Sequence, residues 1–249
     1  MPSWDELFKK GASFEGVESE VARAAQMVEK LIPVGDIAAW DVGCGNGRHT
    51  AFFASQGYRV FASDNSPTAL EKTKDLLDSG GFEVTYAEAD MEELPFGETN
   101  FNLIVAWNVI QHASMEKIRH VIGNFIDRLA PGGMLVLCVK SDKAEEAGTG
   151  DEIEPGTYVM AEGPETGVPH HYFNRAEIDV LFSPLDVVHL AEAQSDMYAS
   201  FTSQSIPKKS LPYHNAHWII VGQKPAADGN LGTTEDHKSL EGPSLVERI

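Results

Sequence analysis

Apolar residues follow two different spacings along the first 140 residues, and the alternation of the two predicts an α/β domain. Between residues 18 and 31, apolar side chains recur three and four positions apart, which places them on one face of a helix. Short apolar-rich runs at 38–42, 58–63, 101–106 and 134–139 are typical of strands in a buried parallel sheet.

Helical segments fall between these runs, as they do in a doubly wound sheet. The sequence predicts helices over 47–55, 68–77 and 115–129, a further strand over 82–87, and two later strands over 185–193 and 216–221. Strands that alternate with helices indicate βαβ units. Two more helices are expected near the start, over 3–10 and 18–31. The stretch from 141 to 171 has little periodicity, so we expect a long loop with a functional role.

A glycine-rich turn follows the first strand and is the main candidate for ligand binding. Asp41 ends the strand, and Gly43, Gly45 and Gly47 alternate with Cys44 and Asn46 before a helix begins. Alternating glycines let the backbone turn sharply and approach a ligand, and the helix that follows offers unpaired N–H groups. A dinucleotide fingerprint would need a third glycine at position 48, where this chain has Arg48.

The spacing G-x-G-x-G after an acidic residue resembles the first motif of the class I S-adenosylmethionine-dependent methyltransferases. Two later stretches also resemble that family: Asp90 followed by Leu94-Pro95-Phe96, and the L-x-P-G-G-x-L pattern from Leu129 to Leu135. The segment 169–178 is similar to the entry to a helix in small-molecule methyltransferases, including those related to tellurite resistance and thiol methylation. The motifs that precede this segment occur in family order between residues 38 and 140.

The resemblance implies a role for each matching residue. The carboxylate of Asp41 and the glycine turn are expected around the methionine part of S-adenosyl-L-methionine, Asp64 at the ribose, and Asp90 with Met91 at the adenine. The complete set of expected cofactor-binding residues is Asp41, Gly43, Cys44, Gly45, Asn46, Gly47, Asp64, Asn65, Ser66, Asp90, Met91, Trp107 and Asn108. Ser66 precedes Pro67 and is also a candidate helix cap.

The resemblance also implies the fold and the domain boundaries. The expected fold is a doubly wound, seven-stranded, mostly parallel Rossmann-like sheet with an antiparallel last strand and helices on both faces. Residues 1–35 would form helices that cap the pocket, and 36–224 would form the methyltransferase domain, with a substrate-pocket insertion at about 141–173. Residues 225–249 are rich in Gly, Ser, Thr, Asp and Glu, which predicts a weakly ordered tail.

Three residues are candidates for chemistry at the methyl acceptor: His112, His171 and Tyr172. Imidazole changes charge near neutral pH, so His112 is a candidate general base, with helix capping or packing as its alternative role. A base is needed only if the acceptor is protonated at the working pH. His170 and His171 are adjacent rather than four residues apart on a helix, so no metal site is predicted.

Composition excludes some partners. The 249 residues include 38 acidic and 19 basic side chains, for a net charge of −19. Such a chain is repelled by phosphate backbones, which argues against a nucleic-acid partner. No long apolar run predicts a membrane span, and the two cysteines, Cys44 and Cys138, lack metal spacing. We therefore expect a cytoplasmic location by default.

The predicted function is methyl transfer from S-adenosylmethionine to an N, O or S atom of a small molecule. Two alternatives stay open at this point. One is a nicotinamide-dependent oxidoreductase, which Arg48 disfavours, and the other is a non-catalytic ligand-binding module on the same scaffold. A protein acceptor is also compatible with the sequence, because a fold does not determine its substrate.

Overall fold

The computed structural model of the protein describes residues 4–161, 165–195 and 215–226. Within these ranges the helices are α1 (Trp4–Lys9), α2 (Ser19–Glu29), α3 (Arg48–Ser55), α4 (Pro67–Gly80), α5 (Met115–Arg128) and α6 (Arg175–Leu181), with a short 3₁₀ turn at Val34–Asp36. The strands are β1 (Ala38–Val42), β2 (Arg59–Asp64), β3 (Val84–Glu88), β4 (Phe101–Trp107), β5 (Leu129–Lys140), β6 (Asp151–Glu154), β7 (Thr157–Val159), β8 (Pro169–His171), β9 (Asp186–Ser195) and β10 (Asn215–Gln223).

Seven of these strands form one twisted sheet in the order β3-β2-β1-β4-β5-β10-β9. The strands from β3 to β5 pair in parallel, and β10 is antiparallel to both of its neighbours. This confirms the expected mostly parallel sheet with an antiparallel last strand. The strand order reverses beside β1, so the carboxyl ends of β1 and β4 open the crevice in which α/β sheets bind ligands.

Helices cover both faces of this sheet, as the apolar patterns predict. Trp40 and Ile104 point to the face covered by α5 and α6, whereas Ala39 and Leu103 point to the face covered by α2, α3 and α4. Neighbouring residues of a strand face opposite sides, so each central strand is buried twice. Continuous apolar runs in β1, β4 and β5 are the sequence consequence of this double burial.

Capping side chains account for the starts of α4 and α6. The Ser66 hydroxyl accepts from the Ala69 N–H at the start of α4, which confirms its capping role, and Pro67 occupies the first helical position. Asn174 and Glu177 form a reciprocal capping box at the start of α6.

Two expectations about local structure were wrong. The turn expected at 130–133 lies inside β5, because Gly132 and Gly133 pair through their backbones with Lys224, a partner 91 or more residues away. The long stretch expected as a loop contains a second sheet, β6-β7-β8, of four, three and three residues. Strands this short display no readable alternation, since one or two side chains per face make no pattern.

No helix in the described ranges is long and apolar enough to cross a membrane. Residues 227–249, most of the predicted tail, lie outside the described residues, as does the whole segment 196–214 between β9 and β10.

His217 provides a first testable prediction, on stability. It lies buried in β10, opposite Lys140 of β5. Burial, helped by the Lys140 charge, lowers the pKa of His217 to about 4. An unfolded histidine has a pKa of about 6.5, so the unfolded state binds more protons between these values. The free energy of unfolding therefore receives no penalty from His217 above about pH 6.5. It falls by about 3 kcal/mol as the pH drops toward 4, because the unfolded state takes up a proton that the folded state does not.

The His217→Gln variant should flatten this part of the stability curve. Urea unfolding at pH 7.5, 6.0 and 5.0 measures it, with His120→Gln as the control because His120 is exposed on α5. Equal acid sensitivity in His217→Gln and in the unsubstituted protein would contradict the assignment.

Candidate active site

The glycine turn between β1 and α3 is built from three residues in the left-handed region. Gly43, Gly45 and Gly47 have φ angles of 63°, 57° and 83°. A Cβ on Gly43 would lie 2.5 Å from Cγ2 of Val109, and one on Gly47 would lie 2.7 Å from Cγ2 of Thr73. Both the backbone angles and the close neighbours therefore require glycine at Gly43 and Gly47.

The carboxylate of Asp64, at the end of β2, holds this turn from the side. Its Oδ2 accepts from the Gly45 N–H and its Oδ1 from the Ser66 N–H, each at 2.9 Å. Asp64 is buried, and burial raises the pKa of its carboxyl against the lowering effect of these two bonds. The structure thus brings Asp64 to the glycine turn although 19 residues separate it from Gly45.

Asp41 lies beneath the same turn at the end of β1. Its Oδ2 accepts from the Thr50 hydroxyl at 2.6 Å, and its Oδ1 lies 3.8 Å from Nδ1 of His49. His49 contacts Glu18 through Nε2 at 2.5 Å. Burial alone would lower the pKa of His49, but Asp41 and Glu18 outweigh it and raise the pKa. The charge of Asp41 also adds to the raised pKa of Asp64, which reflects how close the two carboxylates are.

Cys44, between the first two glycines, is buried. Burial, with Asp41 and Asp64 nearby, raises the pKa of its thiol well above the usual value. A thiol held in its neutral form is a poor nucleophile. Cys44 therefore fits the turn as a small side chain rather than as a reactive group.

The N-terminal segment packs over the turn. Oδ1 of Asp5 in α1 accepts from the Ser66 hydroxyl at 2.8 Å and from the Thr68 N–H at 3.0 Å. The ring of Phe8 is the nearest neighbour of Gly45, 3.3 Å from where a Cβ would be. Asn46 exchanges two hydrogen bonds of 2.9 Å with the backbone of residue 14, accepting through Oδ1 and donating through Nδ2.

These contacts lead to a second prediction, on the N-terminal segment. Asn46→Ala removes both hydrogen bonds to residue 14, so residues 4–14 should exchange their amide hydrogens at least about 10-fold faster, a change of about 1.4 kcal/mol or more in opening. Hydrogen exchange read by mass spectrometry measures this, with exchange in β4 as the internal reference. Unchanged exchange over residues 4–14 would show that Asn46 does not hold this segment.

The other expected adenine and methionine contacts lie at the ends of β3 and β4. Asp90 pairs with Lys117 of α5 at 3.1 Å, and Met91 packs partly buried against the core.

Asn108 has a φ of 58°, and its Oδ1 lies 3.4 Å from Sγ of Cys138. A residue other than glycine in the left-handed region is uncommon and clusters at functional sites. The ring of Trp107 lies 6.1 Å from that of His49. Asn65 is exposed beside Asp64.

His112 follows β4 and is surrounded by groups from three other parts of the chain. Its Nδ1 lies 3.0 Å from the Val109 carbonyl, and its ring centroid lies 4.9 Å from Trp4 and 4.8 Å from His170. Burial lowers the pKa of His112 to about 4, against the attraction of the nearby Glu165 carboxylate. The imidazole is therefore neutral at pH 7.

Sequence reasoning missed Glu165 and His170 as neighbours of His112. Nε2 of His170 lies 2.8 Å from one oxygen of Glu165, and Nε2 of His112 lies 3.8 Å from the other. Burial raises the pKa of the Glu165 carboxyl, but the bond to His170 and the charges of His112, His170 and Lys140 together outweigh it and lower the pKa to about 2. No spacing signal joins these residues, because the second sheet brings them to the end of β4.

His171 and Tyr172, the other two residues expected to act on the methyl acceptor, contact other parts of the protein. Both ring nitrogens of His171 have partners: Nδ1 lies 2.7 Å from the Thr157 hydroxyl and Nε2 lies 3.3 Å from Glu177. His170 and His171 are neighbours on β8 and so face opposite sides. Tyr172 is buried under the Nζ of Lys140, 5.6 Å from its ring, and burial raises the pKa of its hydroxyl.

The sequence from β1 into β5 matches a known family model. Residues 39–133 match the family model described as "Methyltransferase domain". These residues carry a methyltransferase domain. The matched residues run from β1 through the P-G-G turn inside β5, so they include the glycine turn, Asp64 and His112.

The curated relatives are similar to a shorter part of the chain than the solved structures are. An uncharacterized methyltransferase of Bacillus subtilis is 28% identical over 116 residues, which is 47% of this chain and 48% of the relative. The chain thus spans about half the length of the curated relatives it matches.

Two solved structures show the same fold at low identity. A SAM-dependent methyltransferase from Methanosarcina mazei has a TM-score of 0.63 at 19% identity, covering 80% of this chain and 97% of that one. The N-methyltransferase NodS from Bradyrhizobium japonicum, in complex with S-adenosyl-L-homocysteine, has a TM-score of 0.56 at 18% identity, covering 89% and 98%. The shared fold therefore extends well beyond the residues that match by sequence.

Proposed function

We propose that this protein binds S-adenosyl-L-methionine at the glycine turn and transfers its methyl group to a small molecule. The observation that carries the proposal is the buried carboxylate of Asp64 held against the left-handed Gly43–Gly47 turn. Bare backbone, a helix N-terminus and a carboxylate in one crevice suit a nucleoside joined to an amino acid. The match of this turn to a methyltransferase domain supports the same reading.

Each group at the crevice has a proposed role. Asp64 accepts from the ribose hydroxyls, since each carboxylate oxygen keeps a lone pair after bonding one backbone N–H. Asp41, the glycine turn and residues 107 and 108 enclose the methionine end. Asp90 and Met91 meet the adenine, with Asn65 and Ser66 beside it. Asp41 is also fixed by Thr50, so it is held in place before any ligand arrives.

The bound cofactor supplies an electrophilic sulfonium methyl group. The protein's part is to align the acceptor with that methyl group and to exclude water, which favours a step that disperses charge. His112, neutral and buried beside Trp4, is the best placed of the three acceptor candidates to orient an acceptor or take its proton. His171 and Tyr172 are better suited to a structural role in the segment that packs beside His112.

A small-molecule acceptor with a nitrogen, oxygen or sulfur nucleophile fits the buried surroundings of His112. A neighbour such as NodS is named as an N-methyltransferase. The strongly acidic chain also suits a cationic cofactor and disfavours polyanionic acceptors.

The proposal is tested in two steps. Isothermal titration should show binding of S-adenosylmethionine and S-adenosylhomocysteine and no comparable binding of nicotinamide cofactors. Release of S-adenosylhomocysteine is then followed across a panel of amines, phenols and thiols. Tight nicotinamide binding without any response to S-adenosylmethionine would favour an oxidoreductase. Cofactor binding without turnover for every acceptor class would favour a binding module.

A further inference from the structure

Three side chains with metal-binding atoms converge beside the end of β4. They are His112, Glu165 and His170, and one ligand atom from each lies within 4.8 Å of the other two. His112 belongs to the matched methyltransferase region, whereas Glu165 and His170 come from the stretch around β8. Nothing in the proposed cofactor-binding role requires Glu165 or His170.

The distances among the three ligand atoms suit a small metal ion. Oε2 of Glu165 lies 2.8 Å from Nε2 of His170, and its other oxygen, Oε1, lies 3.8 Å from Nε2 of His112. Ligand atoms about 2.1 Å from a tetrahedral metal are about 3.4 Å apart, so the two contacts of the Glu165 carboxylate lie on either side of the required distance. The upper limit of 4.8 Å among the three ligand atoms exceeds it by about 1.4 Å, so the side chains would have to close by up to that amount around an ion.

Both histidines are already oriented for binding through Nε2. Nδ1 of His112 lies 3.0 Å from the Val109 carbonyl, and Nδ1 of His170 lies 3.0 Å from the Val168 carbonyl. A backbone carbonyl at Nδ1 holds a proton on that nitrogen, so a metal would bind at Nε2, where it would replace the proton that His170 shares with Glu165. The two Nε2 atoms then face the same carboxylate, as ligands of one ion would.

The cluster is largely shielded from solvent. The side chains of His170, His112 and Glu165 are 1%, 9% and 27% exposed. An ion could therefore enter from the side of Glu165 and would then be largely shielded from water. Two imidazoles that bind through Nε2 and one carboxylate bring one negative charge to the ion, which suits a divalent cation.

We propose that His112, Glu165 and His170 bind one divalent transition-metal ion, most naturally zinc. Two nitrogen ligands and one carboxylate suit zinc and disfavour magnesium and calcium, which prefer oxygen ligands. Three protein ligands leave a fourth position open, as in catalytic zinc sites. The sequence predicted no metal because the adjacent His170 and His171 cannot share one ion, whereas the structure pairs His170 with two residues distant in sequence.

The open position gives the metal a role in the proposed function, on which this step depends. An acceptor thiol or hydroxyl bound there would lose its proton to water more readily. Its lone pair would form the bond to the methyl carbon, while the electron pair of the broken carbon–sulfur bond stays on the cofactor sulfur. The acceptor class implied is a small thiol or alcohol rather than an amine.

Metal binding is tested on the full-length, tag-free protein after removal of metals with a chelator. Titration with Co²⁺ should give visible absorption bands that saturate at one equivalent, and Zn²⁺ should displace them. Glu165→Gln and His170→Gln should each weaken Co²⁺ binding at least about 10-fold. Even the mutation of a residue that only hydrogen-bonds to a metal ligand lowers metal affinity about 10-fold or more. His120→Gln, an exposed histidine outside the cluster, should leave binding unchanged.

Three results would overturn the proposal: no visible bands, binding of several equivalents, or equal binding by all variants. Circular dichroism confirms that each variant is folded, and Glu165→Gln serves if the more deeply buried His170→Gln is not. Titration of the metal-free protein with S-adenosylhomocysteine is run separately. Failure of that titration with intact Co²⁺ binding would reject the methyltransferase proposal alone, and the reverse result would reject the metal site alone.

Discussion

Asp64→Asn is expected to weaken S-adenosylmethionine binding about 10- to 100-fold. Each oxygen of the Asp64 carboxylate accepts from a backbone N–H, one from Gly45 and one from Ser66. An amide in the same place turns one acceptor into a donor, so one N–H faces another. Under the proposed function the substitution also removes an acceptor for the ribose. The loss of that charge-assisted hydrogen bond, about 1.5–3 kcal/mol, accounts for the expected range of affinities.

Isothermal titration with S-adenosylhomocysteine measures this effect. Asp75→Asn is the matched control, because it makes the same change of charge at an exposed position on α4. Loss of affinity in both variants would point to the overall charge of the protein instead of the Asp64 contacts. Full affinity in Asp64→Asn would mean that the cofactor binds elsewhere.

Gly43→Ala is expected to destabilise the protein by about 2–5 kcal/mol. Part of this is the cost of about 1–2 kcal/mol for placing an alanine at a φ of 63°. The rest comes from the new Cβ, which would lie 2.5 Å from Cγ2 of Val109 and would force about 1–3 kcal/mol of overpacking. The turn would have to move away from Val109, so cofactor affinity should also fall. Urea unfolding gives the first value and titration the second.

A double substitution separates the two causes. Val109→Ala removes Cγ1 and Cγ2, the two Val109 atoms nearest the new Cβ, so Gly43→Ala with Val109→Ala should recover the overpacking part but not the backbone part. Gly35→Ala is the control, because no atom lies within 4 Å of its Cβ position and its φ is not positive. If the double variant recovers nothing, the contact with Val109 is not what limits this position.

The two substitutions act on the same turn from different sides. Asp64 holds Gly45 through a hydrogen bond, whereas Val109 limits how far Gly43 can move. The turn is thus fixed at both ends before ligand binding, and a preorganised site loses less entropy when the ligand binds. The N-terminal contacts of Phe8 and Asn46 add a third constraint from above.

The C-terminal half of the domain shows what depends on distant partners. Gly132 and Gly133 read as a turn because local glycine preference favours one, yet Lys224 extends β5 through them. Likewise, β6, β7 and β8 exist because they pair with each other, since each is too short to have a pattern of its own. Strand pairing between distant segments is a tertiary property.

The sequence by itself determined the order of strands and helices, the mostly parallel sheet and the glycine turn. Apolar periodicity, caps and glycine spacing are local, and each is visible within about 15 residues. Only the tertiary structure decided that Glu165 and His170 lie beside His112 and that His171 and Tyr172 contact other partners. Contacts between residues distant in sequence depend on how separate helices and strands pack, and no local interaction determines them.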